Sequence, residues 1–400
     1  MKYDFDSVIN HYNTNSIKWD FAKEVLGEKD ILPMWVADMD FKSPEPVIDA
    51  MKKVAKHGVF GYSNMRESYY EEVINWMKRQ HNWDVQKEWI VFSPGVIPAI
   101  NMLIKAFTQP GDQVIVQSPT YHAFFFAIRN NGRQILDNPL RLEDEQYVME
   151  LADLEQKINH LTKMILLCSP HNPVGRVWRR EELIALGELC IKNGILVVSD
   201  EIHMDMVYKG YQHIPFASIS EEYANESIVC TGATKTFNLP GLQMSAIIVS
   251  NPELRKQFRD VLRSCGIYFP NIFGIAATEA AYRYGESWLM QLLEYLQENV
   301  AFLTKYVKEK IPRIKVIPPQ GTYLVWLDCR NIGVSPTEVH KFMLKEAKVG
   351  LEEGTTFGCK EAGYERMNIA CPRVTLKEAL RRIETALSLL PKSQGASPAE

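Results

Sequence analysis

The sequence has no excess of basic charge: 45 Lys and Arg stand against 49 Asp and Glu, a formal net charge of −4. Dedicated nucleic-acid binders and basic membrane-surface proteins carry such an excess, so neither partner is expected. No apolar run approaches the roughly 20 residues that cross a bilayer. The opening stretch MKYDFDSVINHYNTNS lacks the apolar core of a secretory signal, so secretion is not expected. Cysteine is scarce, odd in number and scattered: Cys168, Cys190, Cys230, Cys265, Cys329, Cys359 and Cys371. Without a CxxC pair, neither a zinc knuckle nor a disulfide framework is read. Dispersed single thiols fit a reducing, cytoplasmic compartment. There is no internal repeat and no low-complexity linker, and only the stretch 391–400 (PKSQGASPAE) reads as a disordered tail.

What is present is ordinary for a soluble protein. The chain has 400 residues, of which 46% are hydrophobic and 24% charged, enough for two or three domains. Short apolar runs predict strands at Ile90–Ser93, Val114–Gln117, Met164–Cys168, Ile195–Ser199, Ile228–Thr231 and Ser245–Ser250. Their apolarity is continuous rather than alternating, as in strands buried on both faces. Helical patterns such as Arg179–Asn193 lie between them, which implies right-handed crossovers and a mostly parallel sheet. After about Gly285 the pattern changes to a long amphipathic stretch, Ser287 to about Lys310. A strand-like Thr322–Leu327 comes next, then helices near Pro336–Ala347 and Leu376–Leu390. The expected division is a large domain over 46–285 and a smaller one from 1–45 and 286–390.

Ligands of such sheets bind beyond the carboxyl ends of the strands. Ile90–Ser93 leads into Pro94-Gly95-Val96-Ile97, where a helix begins and its first free N–H groups make a phosphate cradle; a plain strand–helix turn uses the same residues. The next strand leads to Tyr121, either a stacking ring or a half-buried Tyr with a satisfied hydroxyl. Asn172 sits between Pro170 and Pro173, as a donor to a ligand oxygen or as a simple Asn-Pro turn. Asp200 ends a buried strand, where a carboxylate needs an Arg, a metal or a protonated ring nitrogen beside it. The metal reading rests on Asp200, Glu201, His203 and Asp205; strand alternation opposes it by sending neighbours to opposite faces. Lys235 lies in the small-residue loop after Ile228–Thr231, where a desolvated amine serves as nucleophile or base.

Each signal is weak alone. On one sheet edge they describe a site for pyridoxal 5′-phosphate (PLP). Lys235 would anchor it, Asp200 would pair with the ring nitrogen, and Asn172 would donate to the ring hydroxyl oxygen. Tyr121 would stack on the ring, and the Val96 and Ile97 amides with Thr234 would hold the phosphate.

With those residues in place, the sequence resembles the fold-type I PLP enzymes of the class I/II aminotransferase superfamily over nearly its whole length. It is most similar to the MalY/PatB subgroup of cystathionine β-lyases and cysteine C–S lyases. Leu32–Phe41 (LPMWVADMDF), Ser199–Asp205 (SDEIHMD) and Met367–Arg373 (MNIACPR) carry that likeness. The resemblance implies an α/β fold: a mostly parallel seven-stranded sheet in a large domain, plus a smaller α+β domain. It implies that Arg373 clamps a substrate α-carboxylate with its planar fork, with the Ala37 backbone nearby. It also implies a homodimer with shared active sites, in which Tyr62 reaches the phosphate of the partner's cofactor. There are departures. Aminotransferases often carry a Tyr bonding the ring hydroxyl where this chain has His203, which is counted among the cofactor contacts here; His203 and His171 also read as satisfied buried histidines. Gln243 stands where a basic phosphate ligand is common. His122 comes after Tyr121 where C–S lyases often have a second aromatic.

The expected reaction is α,β-elimination from a cysteine-type amino acid to a thiol, pyruvate and ammonia. The nearest alternative is an aminotransferase using the same residues. A metallohydrolase at the Asp200–Asp205 cluster and a regulatory protein on an enzyme fold are further alternatives. Tyr323 and Trp326 are expected in the core of the smaller domain.

Overall fold

Short runs of branched residues become the central sheet. The computed structural model describes residues 2–390, so the expected tail lies outside the described residues. Seven strands, β1 (Ile90–Ser93), β2 (Gln113–Val116), β3 (Gln134–Asp137), β4 (Thr162–Cys168), β5 (Leu196–Asp200), β6 (Ser227–Thr231) and β7 (Ser245–Ile248), lie in the order β1-β7-β6-β5-β4-β2-β3. β7 runs antiparallel to both neighbours; the other pairs are parallel. Val114, Ile115, Ile165, Val198, Ile228 and Ile247 are fully buried, as two-sided covering requires. β3 is an addition to the strands expected from pattern. It is an edge strand with Gln134 exposed and Ile135 and Asp137 half-buried, so its apolar signal is thin.

Helices α1 (Glu67–His81), α2 (Val96–Phe107), α3 (Ala233–Thr236) and α4 (Ile272–Tyr284) belong to the same unit. α1 packs on α4 through Trp76 and Tyr282, both buried, whose rings stack 5.1 Å apart. This unit spans Lys42–Glu294 and takes back Gln320–Thr322.

The second unit holds Asp4–Phe41, Tyr295–Pro319 and, among the described residues, 323–390. Its antiparallel sheet is β8 (Lys315–Ile317), β9 (Leu324–Asp328), β10 (Glu352–Glu353) and β11 (Tyr364–Asn368), in the order β8-β9-β11-β10. β9 starts two residues later than the pattern suggests, because Thr322 adopts φ 65° and leaves the extended region. Trp326 is buried against Tyr364, their rings stacked 5.4 Å apart, so it is core. The helices α5 (Glu286–Lys310) and α6 (Arg373–Ser388) each run close to their sequence patterns.

Candidate functional site

The carboxyl end of β5 is the centre of the site. Asp200 is its last residue, buried, and in register with Cys168 of β4 on one side and Cys230 of β6 on the other. Register partners in a sheet point to the same face, so two thiols flank the carboxylate. Burial drives both thiols above their ordinary range and keeps them neutral. Asp200 Oδ1 accepts one hydrogen bond, from the Ile202 N–H at 3.2 Å. Burial pushes its carboxyl up to about 7, against the opposing pull of that N–H and of the Lys235 ammonium. A buried carboxylate so lightly satisfied fits a cationic ring nitrogen beside it.

Lys235 lies half-buried on α3, which begins directly after Gly232 and β6. A Cβ on Gly232 would lie 3.1 Å from the Met244 carbonyl oxygen, so glycine lets this loop press against the start of β7. Thr234 is buried on the same turn. Gln243 is exposed, at φ 49°.

After β1 the chain turns directly into a helix, as the spacing predicts. Gly95 takes φ +126°, closed to other residues, and a Cβ there would meet Pro98 Cδ at 3.3 Å. Ser93 Oγ donates to the Gly95 carbonyl at 2.9 Å and holds the turn. α2 then starts with no side-chain cap, Val96 buried and Ile97 half-buried, so the Val96 and Ile97 amides suit an anion.

Asn172 is buried on the loop after β4, its N–H donating to Cys168 Sγ at 3.4 Å. The loop closes on itself through His171 N–H to the Arg176 carbonyl and Gly175 N–H to the His171 carbonyl, both at 2.8 Å. Arg176, which no sequence motif marks, anchors it through Nη2, which donates to both carboxylate oxygens of Glu182 at 2.7 and 2.8 Å. His171 is structural: its Nε2 bonds the Pro119 carbonyl at 2.8 Å, and burial pulls the imidazole down to about 4, so it stays neutral. Tyr121 is half-buried beside Phe124 and His122. His203 is buried on the loop after Asp200. Tyr62 is 93% exposed, its ring 5.3 Å from that of Phe269.

The large unit thus brings Gly95, Val96, Ile97, Tyr121, Asn172, Asp200, His203, Thr234 and Lys235 to loops that leave the carboxyl ends of its parallel strands and of β1. The metal reading meets other uses of its carboxylates. Glu201 bonds Ser199 Oγ at 2.8 Å, His213 Nε2 at 2.8 Å and the Phe216 N–H at 2.9 Å. Asp205 bonds Trp76, His81 and Thr236. Among the described residues no three His, Cys, Asp or Glu stand together as ion ligands.

Ala37 and Arg373 belong to the smaller unit. The Ala37 carbonyl accepts from Tyr323 OH at 3.0 Å. Tyr323 is therefore buried core, as expected, but it also pins the Leu32–Phe41 motif. The Asp40 N–H donates to the Ala370 carbonyl at 2.8 Å, and Asn368 Nδ2 donates to the carbonyls of Val36 and Asp38, so two of the motifs are stitched together. The Arg373 guanidinium is held by Asn299 Oδ1 and lies 5.0 Å from the Phe302 ring. Asn299, fully buried, also donates to the Ile369 and Cys371 carbonyls at 3.0 and 3.1 Å. Nothing in the local sequence marks Asn299, an ordinary amide on a long amphipathic helix.

Comparison with known proteins agrees with this fold. The family model "Aminotransferase class I and II" matches residues 29–383. Cystathionine β-lyase PatB of Bacillus subtilis is 44% identical over 96% of this chain and its own full length. The PLP-bound putative aminotransferase of Clostridium difficile 630 superposes with a TM-score of 0.94 at 42% identity, covering 96% of this chain and all of that one. Cystalysin of Treponema denticola, whose crystal structure contains PLP, superposes with a TM-score of 0.93 at 37% identity, covering 97% of this chain and 99% of that one.

Proposed function

We propose that this chain, which belongs to the class I and II aminotransferase family, is a PLP-dependent carbon–sulfur β-lyase acting on cystathionine or related cysteine S-conjugates. The observation that carries the cofactor is Asp200, a buried carboxylate flanked by neutral thiols with its charge coupled to Lys235. The lyase reading over the aminotransferase one is carried by the likeness to PatB across the whole chain.

When bound, PLP supplies an electron-accepting ring that makes the substrate Cα–H acidic. Asp200 pairs with the ring nitrogen and keeps it protonated, Asn172 and His203 bind at the ring hydroxyl oxygen, and Tyr121 stacks on the ring. The Val96 and Ile97 amides, the Gly95 turn and the Thr234 hydroxyl hold the phosphate. Lys235 Nζ anchors the cofactor; with its amine free it takes the Cα proton and delivers a proton to the departing sulfur. Arg373 takes the substrate α-carboxylate, with the Ala37 backbone supporting it. The large unit is then the cofactor domain and the smaller one the carboxylate-binding domain.

The working form in this reading is a cytoplasmic homodimer. Among the described residues no helix is long and apolar enough to cross a membrane. Phe60, Tyr62, Tyr268 and Phe269 are exposed together around a groove of about 710 Å³ that also takes in Pro94, next to the phosphate turn. Apolar surface of that kind calls for a cover. A second copy supplies it and sets Tyr62 against the partner's phosphate.

The deciding assay is pyruvate and thiol release from cystathionine without added 2-oxo acid. Turnover that appears only when an oxo acid is supplied overturns the lyase reading in favour of transamination. Arg373→Lys is expected to raise KM about 10- to 100-fold with a smaller change in kcat, because a point charge replaces a bidentate fork. Steady-state kinetics across a substrate series checks it. Gly95→Ala should weaken PLP binding about tenfold, since alanine is strained at φ +126° and its Cβ crowds Pro98. Titration of the apoprotein with PLP, followed by absorbance, measures it.

A further inference from the structure

Behind the lysine lies a buried polar node that the proposed chemistry leaves without a task. Asp205 Oδ2 accepts a hydrogen bond from Thr236 Oγ1 at 2.6 Å. Its Oδ1 accepts from Trp76 Nε1 at 3.1 Å and meets His81 Nε2 at 2.7 Å, both on α1. Both carboxylate oxygens are thereby fixed, so the group cannot turn without breaking a bond. Thr236 is fully buried and adjoins Lys235; Phe237, next in the chain, packs edge-on to Trp76 at 5.5 Å.

The other end of the tie is the loop that starts at Asp200. It is stiffened by Met204 N–H to the Glu201 carbonyl at 2.9 Å and Met206 N–H to the His203 carbonyl at 2.8 Å. Five residues after Asp200, the same loop supplies Asp205. The groups facing the node are His81, the buried Tyr282, and His213, whose ring lies 5.7 Å from that of His81 and whose Nε2 bonds Glu201 at 2.8 Å. A charge-assisted O–H···O⁻ bond of this length is short and directional.

We propose that Asp205 is a positioning residue that sets the spacing between Asp200 and Lys235 by clamping Thr236 to the Asp200 loop. The inference rests on the PLP reading of Lys235 and Asp200. It makes the node the part that keeps the lysine nitrogen aligned with a ring whose far end Asp200 holds. Misplacement by a fraction of an ångström slows proton transfer and changes the field at the lysine nitrogen without altering how substrate is recognised.

The test uses the PLP-loaded protein and four variants: Asp205→Asn, Thr236→Val, Thr236→Ser and Lys235→Ala. The first readout is the pH midpoint of the cofactor's visible absorbance change, which needs no substrate. The second is kcat and KM for cystathionine. Thr236→Val and Asp205→Asn are expected to move the midpoint by at least about half a pH unit and lower kcat about 10- to 100-fold, with KM within about twofold. Thr236→Ser keeps the hydroxyl and is expected to recover kcat to within about threefold of the parent. If Asp205→Asn does not fold, the Val and Ser pair at 236 decides alone. A Thr236→Val protein that keeps the parental midpoint and kcat, even with a lower melting temperature, overturns the proposal. So does a Thr236→Ser protein as impaired as Thr236→Val. Lys235→Ala must remove the titrating band; if it does not, the reading of Lys235 itself has failed. If the parent carries the band but releases no pyruvate, the lyase reading falls while the midpoint still decides the role of Asp205.

Discussion

Replacing Lys235 with alanine is expected to abolish pyruvate and thiol release from cystathionine, a fall of at least about 10⁴-fold. One nitrogen carries three duties in the proposed reaction: anchor, acceptor of the Cα proton and donor to the leaving sulfur. Loss of a proton-transfer group alone costs about 10²- to 10⁴-fold, and loss of the anchor adds to it. No second amine stands on its turn, where Ala233, Thr234 and Thr236 offer none. A coupled assay that reduces pyruvate as it forms reads the rate directly. Variant turnover within tenfold of the parent sinks the assignment. A small primary amine added to the assay should restore part of the lost rate, because it can carry the proton that Lys235 carried, while the lost anchor stays lost.

The second large effect is expected at Asp200, and it has two opposed parts. Asparagine is nearly isosteric but cannot hold a cationic ring nitrogen by charge, so turnover should fall by at least about 100-fold. Stability of the apoprotein should move the other way. Burial raises the Asp200 carboxyl to about 7 from an ordinary value of 3.8. The folded protein therefore holds this proton across a range in which the unfolded chain has released it. A raised acid destabilises the folded state as pH climbs through that window, and the cost is complete above about pH 7. Removing the charge should stabilise apoprotein by roughly 4 kcal/mol at pH 8, with the advantage shrinking to nothing near pH 4. Melting temperatures of parent and Asp200→Asn apoproteins, taken from pH 4 to pH 8, give the comparison. Parallel curves with no convergence at low pH would mean that Asp200 is not buried as a lone carboxylate. A variant that is more stable yet nearly inactive is the outcome predicted for a site holding a strained charge for its ligand.

Much of this was legible in one dimension. Strands covered on both faces must be almost wholly apolar, and so β1, β4 and β6 stand out of the sequence within a residue or two. Strand β3 does not, since Gln134 is exposed and Ile135 and Asp137 are only half-buried. The opposite direction of β7 is also invisible locally: its residues read like those of any buried strand, and direction is set by how the chain returns from α3. Among the chemical groups, Asp200, Asn172 and Lys235 were legible as candidates because each lies at or just past the end of a strand, and strands deliver such residues to one edge.

The partners that Tyr323, Asp205 and Asn299 hold were not legible, for a uniform reason. Tyr323 holds the Ala37 carbonyl across 286 positions, and Asp205 meets Trp76 across 129. Asn299 reaches the Cys371 carbonyl from 72 positions away. A hydrogen bond needs two partners within about 3 Å at the right angle, and spacing along a chain predicts such a meeting only inside one helix, turn or hairpin. By itself, then, the sequence determined the alternation of strand and helix and the identity of the groups on the sheet's edge. It read the seven scattered cysteines as ordinary single thiols. Folding answered for two of them: Cys168 and Cys230, unmarked in the sequence, became the neutral walls on either side of Asp200. Which thiol sits beside which carboxylate depends on strand order, and strand order is decided only when the whole sheet buries its two apolar faces.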